Sequence, residues 1–104
     1  MPQAVRVAEN ENVFRRVNER IAELAGSEDP VGFICECSEV GCREPVTLDV
    51  SEYERVRSKA NRFVLREGHE RADVEVVVGC GRGYVVVEKL GVAGEVAEAD
   101  DPRS

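Results

Sequence analysis

The chain has 104 residues, enough for one modest core and too few for two. Its 14 Lys and Arg stand against 21 Asp and Glu, a formal net charge of -7, which argues against a broad electrostatic grip on nucleic-acid phosphates. Hydrophobic residues make up 42%, with no tryptophan and only five Phe and Tyr, so valine has to fill much of the interior.

The amino-terminal stretch MPQAVRVAENENVFRR has no apolar run of signal-peptide length, and nowhere do apolar residues continue for the roughly 20 positions of a membrane span. A soluble cytoplasmic protein with no membrane contact is expected. Phe14, Val17, Ile21 and Leu24 recur at helical spacing among charged and polar residues, predicting an amphipathic helix from about Glu9 to Ala25, stopped by Gly26 and Pro30. Its apolar stripe reads as a core face.

Val31 to Ile34 and Pro45 to Leu48 read as strands entering and leaving a cysteine-rich turn. Ser51 with Glu54 forms a capping-box signature for a second, shorter helix whose apolar face is Tyr53, Val56 and Ala60. The basic residues around it, Arg55, Arg57, Lys59 and Arg62, read as a solvated face. Phe63 and Leu65 alternate with Arg62, Val64 and Arg66, suggesting a strand with one buried face that runs into Gly68 and His69.

Val74 to Val78 and Tyr84 to Val87, joined by Gly79-Cys80-Gly81-Arg82-Gly83, form the strongest hairpin signal. Gly91 to Ser104 carries four acidic residues, two glycines and a proline, and reads as a mobile acidic tail. The order predicts an α+β domain over residues 1–90: an amphipathic helix, a short helix and a small antiparallel sheet of about five strands, with the tail at 91–104. The valine-rich edge makes a homodimer by strand addition conceivable.

Three of the four cysteines fall within FICECSEVGCREPV. In a reducing compartment such clusters point to a metal or reactive site more than to disulfides. A turn could aim Cys35, Cys37 and Cys42 at one point, and a structural zinc needs a fourth donor to complete a tetrahedron. Two residues compete. His69 lies at a strand end from which a side chain can turn back, and Cys80 sits between glycines that any tight hairpin also wants. His69 is the preferred fourth ligand and Cys80 the alternate. Inert buried thiols are the plain alternative, but Glu36, Ser38 and Glu39 are not the company of core residues.

The stretches Asn18-Glu19-Arg20-Ile21, FICECSEVGCREPVTLDVSEYERVR, RFVLREGHE and YVVVEK together resemble a group of small uncharacterised actinobacterial proteins. Their pattern is N-E-R-I, C-E-C, C-x-E, E-Y-x-x-V-R, G-H-E and V-V-E-K. The resemblance covers most of the chain and implies Cys35, Cys37, Cys42 and His69 as the recurring polar set. It implies no activity.

Three functions compete. The first is a zinc-stabilised Cys3His binding or regulatory domain with a protein partner, without catalysis because four protein ligands leave no open metal position. The second is a thiol redox sensor or soft-metal binder, with thiolates acidified near Arg43 and Arg82. The third is a small enzyme in which Glu36, Glu39, Glu44 or Glu70 orients a Cys/His pair or acts as acid or base. The chain lacks H-E-x-x-H, and its glycine-rich turn joins strands, so neither a zinc-protease nor a phosphate-loop motif supports catalysis.

Overall fold

The computed structural model describes residues 3–25, 30–37, 42, 44–70 and 75–99. Three helices and five strands follow the order α1 (Gln3–Leu24), β1 (Val31–Ile34), β2 (Pro45–Leu48), α2 (Val50–Val56), β3 (Arg62–Arg66), β4 (Glu75–Gly81), β5 (Tyr84–Lys89) and α3 (Gly91–Ala99). The fold is α+β. Its strands are divided between two antiparallel sheets, β1-β2 and β3-β5-β4. Gly26, Ser38, Glu39, Arg43, Val74 and residues 100–104, to which expectations were attached, lie outside the described residues.

The two sheets are spliced through one side chain. β3 is an edge of the larger sheet, and at Val64 that edge meets the continuation of β1: the Glu36 amide donates to the Val64 carbonyl at 2.9 Å, and the Val64 amide donates to Glu36 Oε1 at 2.9 Å. A carboxylate oxygen thus stands where a neighbouring strand would present a main-chain carbonyl, which leaves the edge satisfied.

The second helix is capped two residues earlier than the sequence suggests. Asp49, in extended conformation, accepts from the Glu52 amide at 2.7 Å, while Glu52 Oε1 accepts from the Asp49 amide at 3.0 Å. That reciprocal pair is a capping box. Ser51 instead donates to Asp49 Oδ1 from inside the first turn. Ala60 lies beyond the helix, and β3 buries Phe63, Val64 and Leu65 together, so both of its faces are covered.

α1 turns a different face inward from the one its apolar stripe marks. Among the described side chains of α1, Arg15 and Asn18 are fully buried and Ile21 packs partly buried on the core, whereas Val13, Val17 and Leu24, within roughly 40° of one another round the helix, are exposed. Polar side chains face the core because fixed carbonyls await them. Arg15 donates to the carbonyls of Ala60 and Ala97 and lies 4.4 Å from the Phe63 ring centroid. Asn18 receives the Ile34 amide on Oδ1 and donates from Nδ2 to the Ile34 carbonyl, both at 2.8 Å. The helix is thereby stitched to β1 in register.

Gly91–Ala99 corrects the expected tail. It forms α3, packed against α1 with Ala97 fully buried. Gly94 lets the first turns of α3 lie close against the end of β5: a Cβ there would come within 2.8 Å of the Lys89 carbonyl. Half-buried Val96 and fully buried Ala97 supply the inward stripe that the acidic count concealed, while Val92 is exposed.

Phe33 stacks on Tyr53 with centroids 4.6 Å apart, and this pair joins Val46, Leu48, Val56 and the β3 and β5 residues in one core. Lys89 and Glu75 form a fully buried ion pair beside Phe63. Arg57, expected on a solvated face, is buried and donates to Glu19 at 3.0 Å.

Candidate metal centre

The β1-β2 ladder fixes the first ligand. Beyond the Ile34–Pro45 pair the Cys35 amide donates to the Glu44 carbonyl at 3.3 Å, which extends the ladder to Cys35. Alternation along an extended backbone then sends Cys35 and Cys37 to one side and Glu36 to the other. His69 arrives from β3. Gly68, at φ +94°, turns the chain, and the His69 amide donates to the Arg66 carbonyl at 3.0 Å. The end of β3 is tied to the hairpin by the Arg66 amide, which donates to Cys35 Sγ at 3.1 Å, and by the Arg66 guanidinium, which donates to the Pro45 carbonyl at 3.2 Å.

These constraints gather the ligand atoms of Cys35, Cys37, Cys42 and His69 within 4.8 Å of one another. His69 Nδ1 stands 3.5 Å from Cys35 Sγ and 3.6 Å from Cys42 Sγ. Cys35 and Cys37 are buried, while Cys42 and His69 are half-exposed, so the cluster has an inner and an outer half. Cys80 is exposed on β4 and is not among the four.

The site's electrostatics favour thiolate at its inner end. A hydrogen bond from Cys37 lowers the Cys35 thiol below its ordinary range, burial opposes this, and the Arg66 amide adds to the lowering. Loss of solvent raises Cys42.

Of the carboxylates considered beside His69, Glu36, Glu44 and Glu70 have other partners, and Glu39 lies outside the described residues. Glu36 is fully buried on the opposite side of the segment, where Oε2 accepts from Tyr53 Oη at 2.7 Å and from Asn18 Nδ2 at 2.9 Å. Burial raises its carboxyl above the usual range, and the hydrogen bonds from Tyr53, Asn18 and Val64 oppose that rise. Glu44 pairs with Arg66 at 3.6 Å, and Glu70 Oε1 accepts from the Gly68 amide at 2.9 Å. The reading of Glu36 as a mark of solvent is therefore overturned: its acceptors answer three buried donors. No local signal distinguishes such a residue, because its partners come from α1, α2 and β3.

No protein-family model, curated protein or solved structure matches the chain. Among the described residues no helix is long and apolar enough to cross a membrane. The Cys3His cluster is compatible in geometry with a metal site in a small α+β domain.

Proposed function

We propose that Cys35, Cys37, Cys42 and His69 bind one structural zinc ion, and that the protein is a small cytoplasmic binding or regulatory domain without catalysis of its own. One observation carries the reading. Zinc–sulfur and zinc–nitrogen bonds of about 2.3 and 2.05 Å at a tetrahedral angle place sulfur and nitrogen about 3.6 Å apart. The two sulfur–nitrogen distances to His69 are 3.5 and 3.6 Å. Soft thiolates with one imidazole suit zinc, and four protein donors leave no position for a reacting water. A protein partner fits a domain whose metal serves the fold.

We also propose that the chain is related to the actinobacterial group it resembles. Much of that group's remaining pattern falls on architectural contacts here: Asn18 and Glu36 in the core, Glu19 with Arg57, Tyr53 on Glu36, and Lys89 with Glu75.

Elemental analysis of protein purified without added metal tests the reading. One equivalent of zinc is expected, retained in Cys80→Ala and lost in His69→Ala. Chelation should lower Tm, because metal binding free energy adds to folding free energy in so small a domain. Absence of metal, with all four thiols titratable in the folded state, would overturn the assignment and favour thiol chemistry.

A further inference from the structure

A groove of about 360 Å³ lies between α2 and the β4-β5 hairpin, sharing no residue with the cysteine–histidine cluster. Its origin is legible in the register. Gly79 pairs with Val86 and Gly81 with Tyr84, which puts both glycines on the sheet face that carries Tyr84 and Val86. With no side chains at those positions, the β4 backbone forms a floor. The Tyr84 ring lies over Gly81, where a Cβ would fall 2.2 Å from it, and Tyr84 Oη donates to Glu52 Oε2 at 3.0 Å. The walls include Val56 and Val86, and Arg55 and Arg62 both line the groove.

Hydrogen-bond donors are in surplus there, although Arg62 keeps a loose ion pair with Glu88 at 3.8 Å. Glu52 is the groove's carboxylate, and both its oxygens are engaged, one by the Asp49 amide and one by Tyr84. Arg55 is exposed and its guanidinium makes no ion pair or hydrogen bond among the described residues. Arg62 Nε is buried without a hydrogen-bond partner, and Glu88 Oε1, at 3.8 Å, is too far to accept its proton. In a chain of net charge -7, two guanidinium groups with spare donors beside an apolar wall match an anionic ligand with an apolar body. The volume falls at the small end of the roughly 300–1,000 Å³ typical of small-molecule sites.

We propose that this groove binds a small organic carboxylate, its oxyanion on Arg55 and Arg62 and its body on Val56 and Val86 over the glycine floor. The test is a titration of isotope-labelled full-length protein with benzoate, inorganic phosphate and benzyl alcohol at constant ionic strength, followed by NMR. Saturable benzoate shifts are expected at the Gly79, Gly81 and Tyr84 amides and at Arg62 Nε. Arg55→Gln should weaken binding about fivefold through loss of a charge-assisted contact. Gly79→Ala should weaken it by raising the floor while leaving the rest of the spectrum in place, because a Cβ there meets Val86 only at 3.8 Å, an ordinary contact. Shifts that do not saturate, or equal shifts with benzyl alcohol, would overturn the proposal. Phosphate binding as tight as benzoate would overturn the role given to the apolar wall.

Discussion

Replacing Tyr53 by phenylalanine removes one oxygen and leaves the ring on Phe33. That oxygen donates to Glu36 Oε2 at 2.7 Å inside the core, where neither group meets solvent. The phenol is held well above its ordinary range, first by burial and then by the Glu36 charge, so it keeps its proton and remains a donor. Removing one donor from a fully buried acceptor costs about 1–3 kcal/mol. The expected loss is about 2 kcal/mol. For 104 residues the unfolding entropy is about 0.2 kcal/mol/K, which turns that loss into a fall in Tm of about 9 °C. Urea denaturation of the metal-saturated protein, followed by circular dichroism, measures it directly. A change below about 0.5 kcal/mol would refute the reasoning, since the remaining donors would then satisfy the carboxylate unaided.

Other contacts lead to equally concrete expectations. Lys89→Ala should cost about 3 kcal/mol in the same denaturation assay, because it takes the ammonium from the fully buried Glu75 carboxylate; a cost under about 1 kcal/mol would mean that the pair is not desolvated. Asp49 is held below its usual carboxyl range, chiefly by the Glu52 amide and then by Ser51, so its capping stabilisation is full above the unfolded value near about 3.9 and fades as pH falls through the lower folded value. Asp49→Ala should therefore lower Tm at pH 7, and the gap to the parent should close as the pH of the melt is lowered through that range; a gap independent of pH would dismiss the carboxylate's part. Of the four cysteines only Cys80 is exposed, so mass spectrometry after brief iodoacetamide treatment of the folded protein should find one alkyl group, on Cys80. Rapid labelling of Cys35 or Cys37 would contradict their burial.

Residues whose environment is set by near neighbours in sequence could be read from the sequence. β1 and β2 occupy Val31–Ile34 and Pro45–Leu48 as their valine and isoleucine content suggests, and β4 and β5 pair as a hairpin, although its turn is Arg82-Gly83 alone and Gly79 and Gly81 are paired inside β4. The site was legible for a similar reason: two cysteines one residue apart at a strand end already point the same way, and a histidine after a glycine can fold back. What escaped notice depends on distant partners. The face of α1 was misjudged because Arg15 finds carbonyls at Ala60 and Ala97, and such acceptors leave no trace in helical periodicity. α3 was hidden because acidity and glycine content argue for a tail, whereas docking against α1 needs only a narrow stripe of small residues. Glu36 was misread for the same cause: nothing local says that an acid between cysteines will be met by three donors.

The placement of Glu36 between Cys35 and Cys37 also limits how the chain can vary. Aspartate is one methylene too short to span from the segment to the Val64 amide, and an inserted or deleted residue would invert which side chains look inward. The three-residue segment is therefore both the weld between the sheets and the inner jaw of the cysteine cluster. Replacing the outer pair, Cys42 and His69, would alter the cluster and still leave this weld in place. Shifting the inner pair would break the scaffold as well, so drift should reach the half of the centre that faces solvent first.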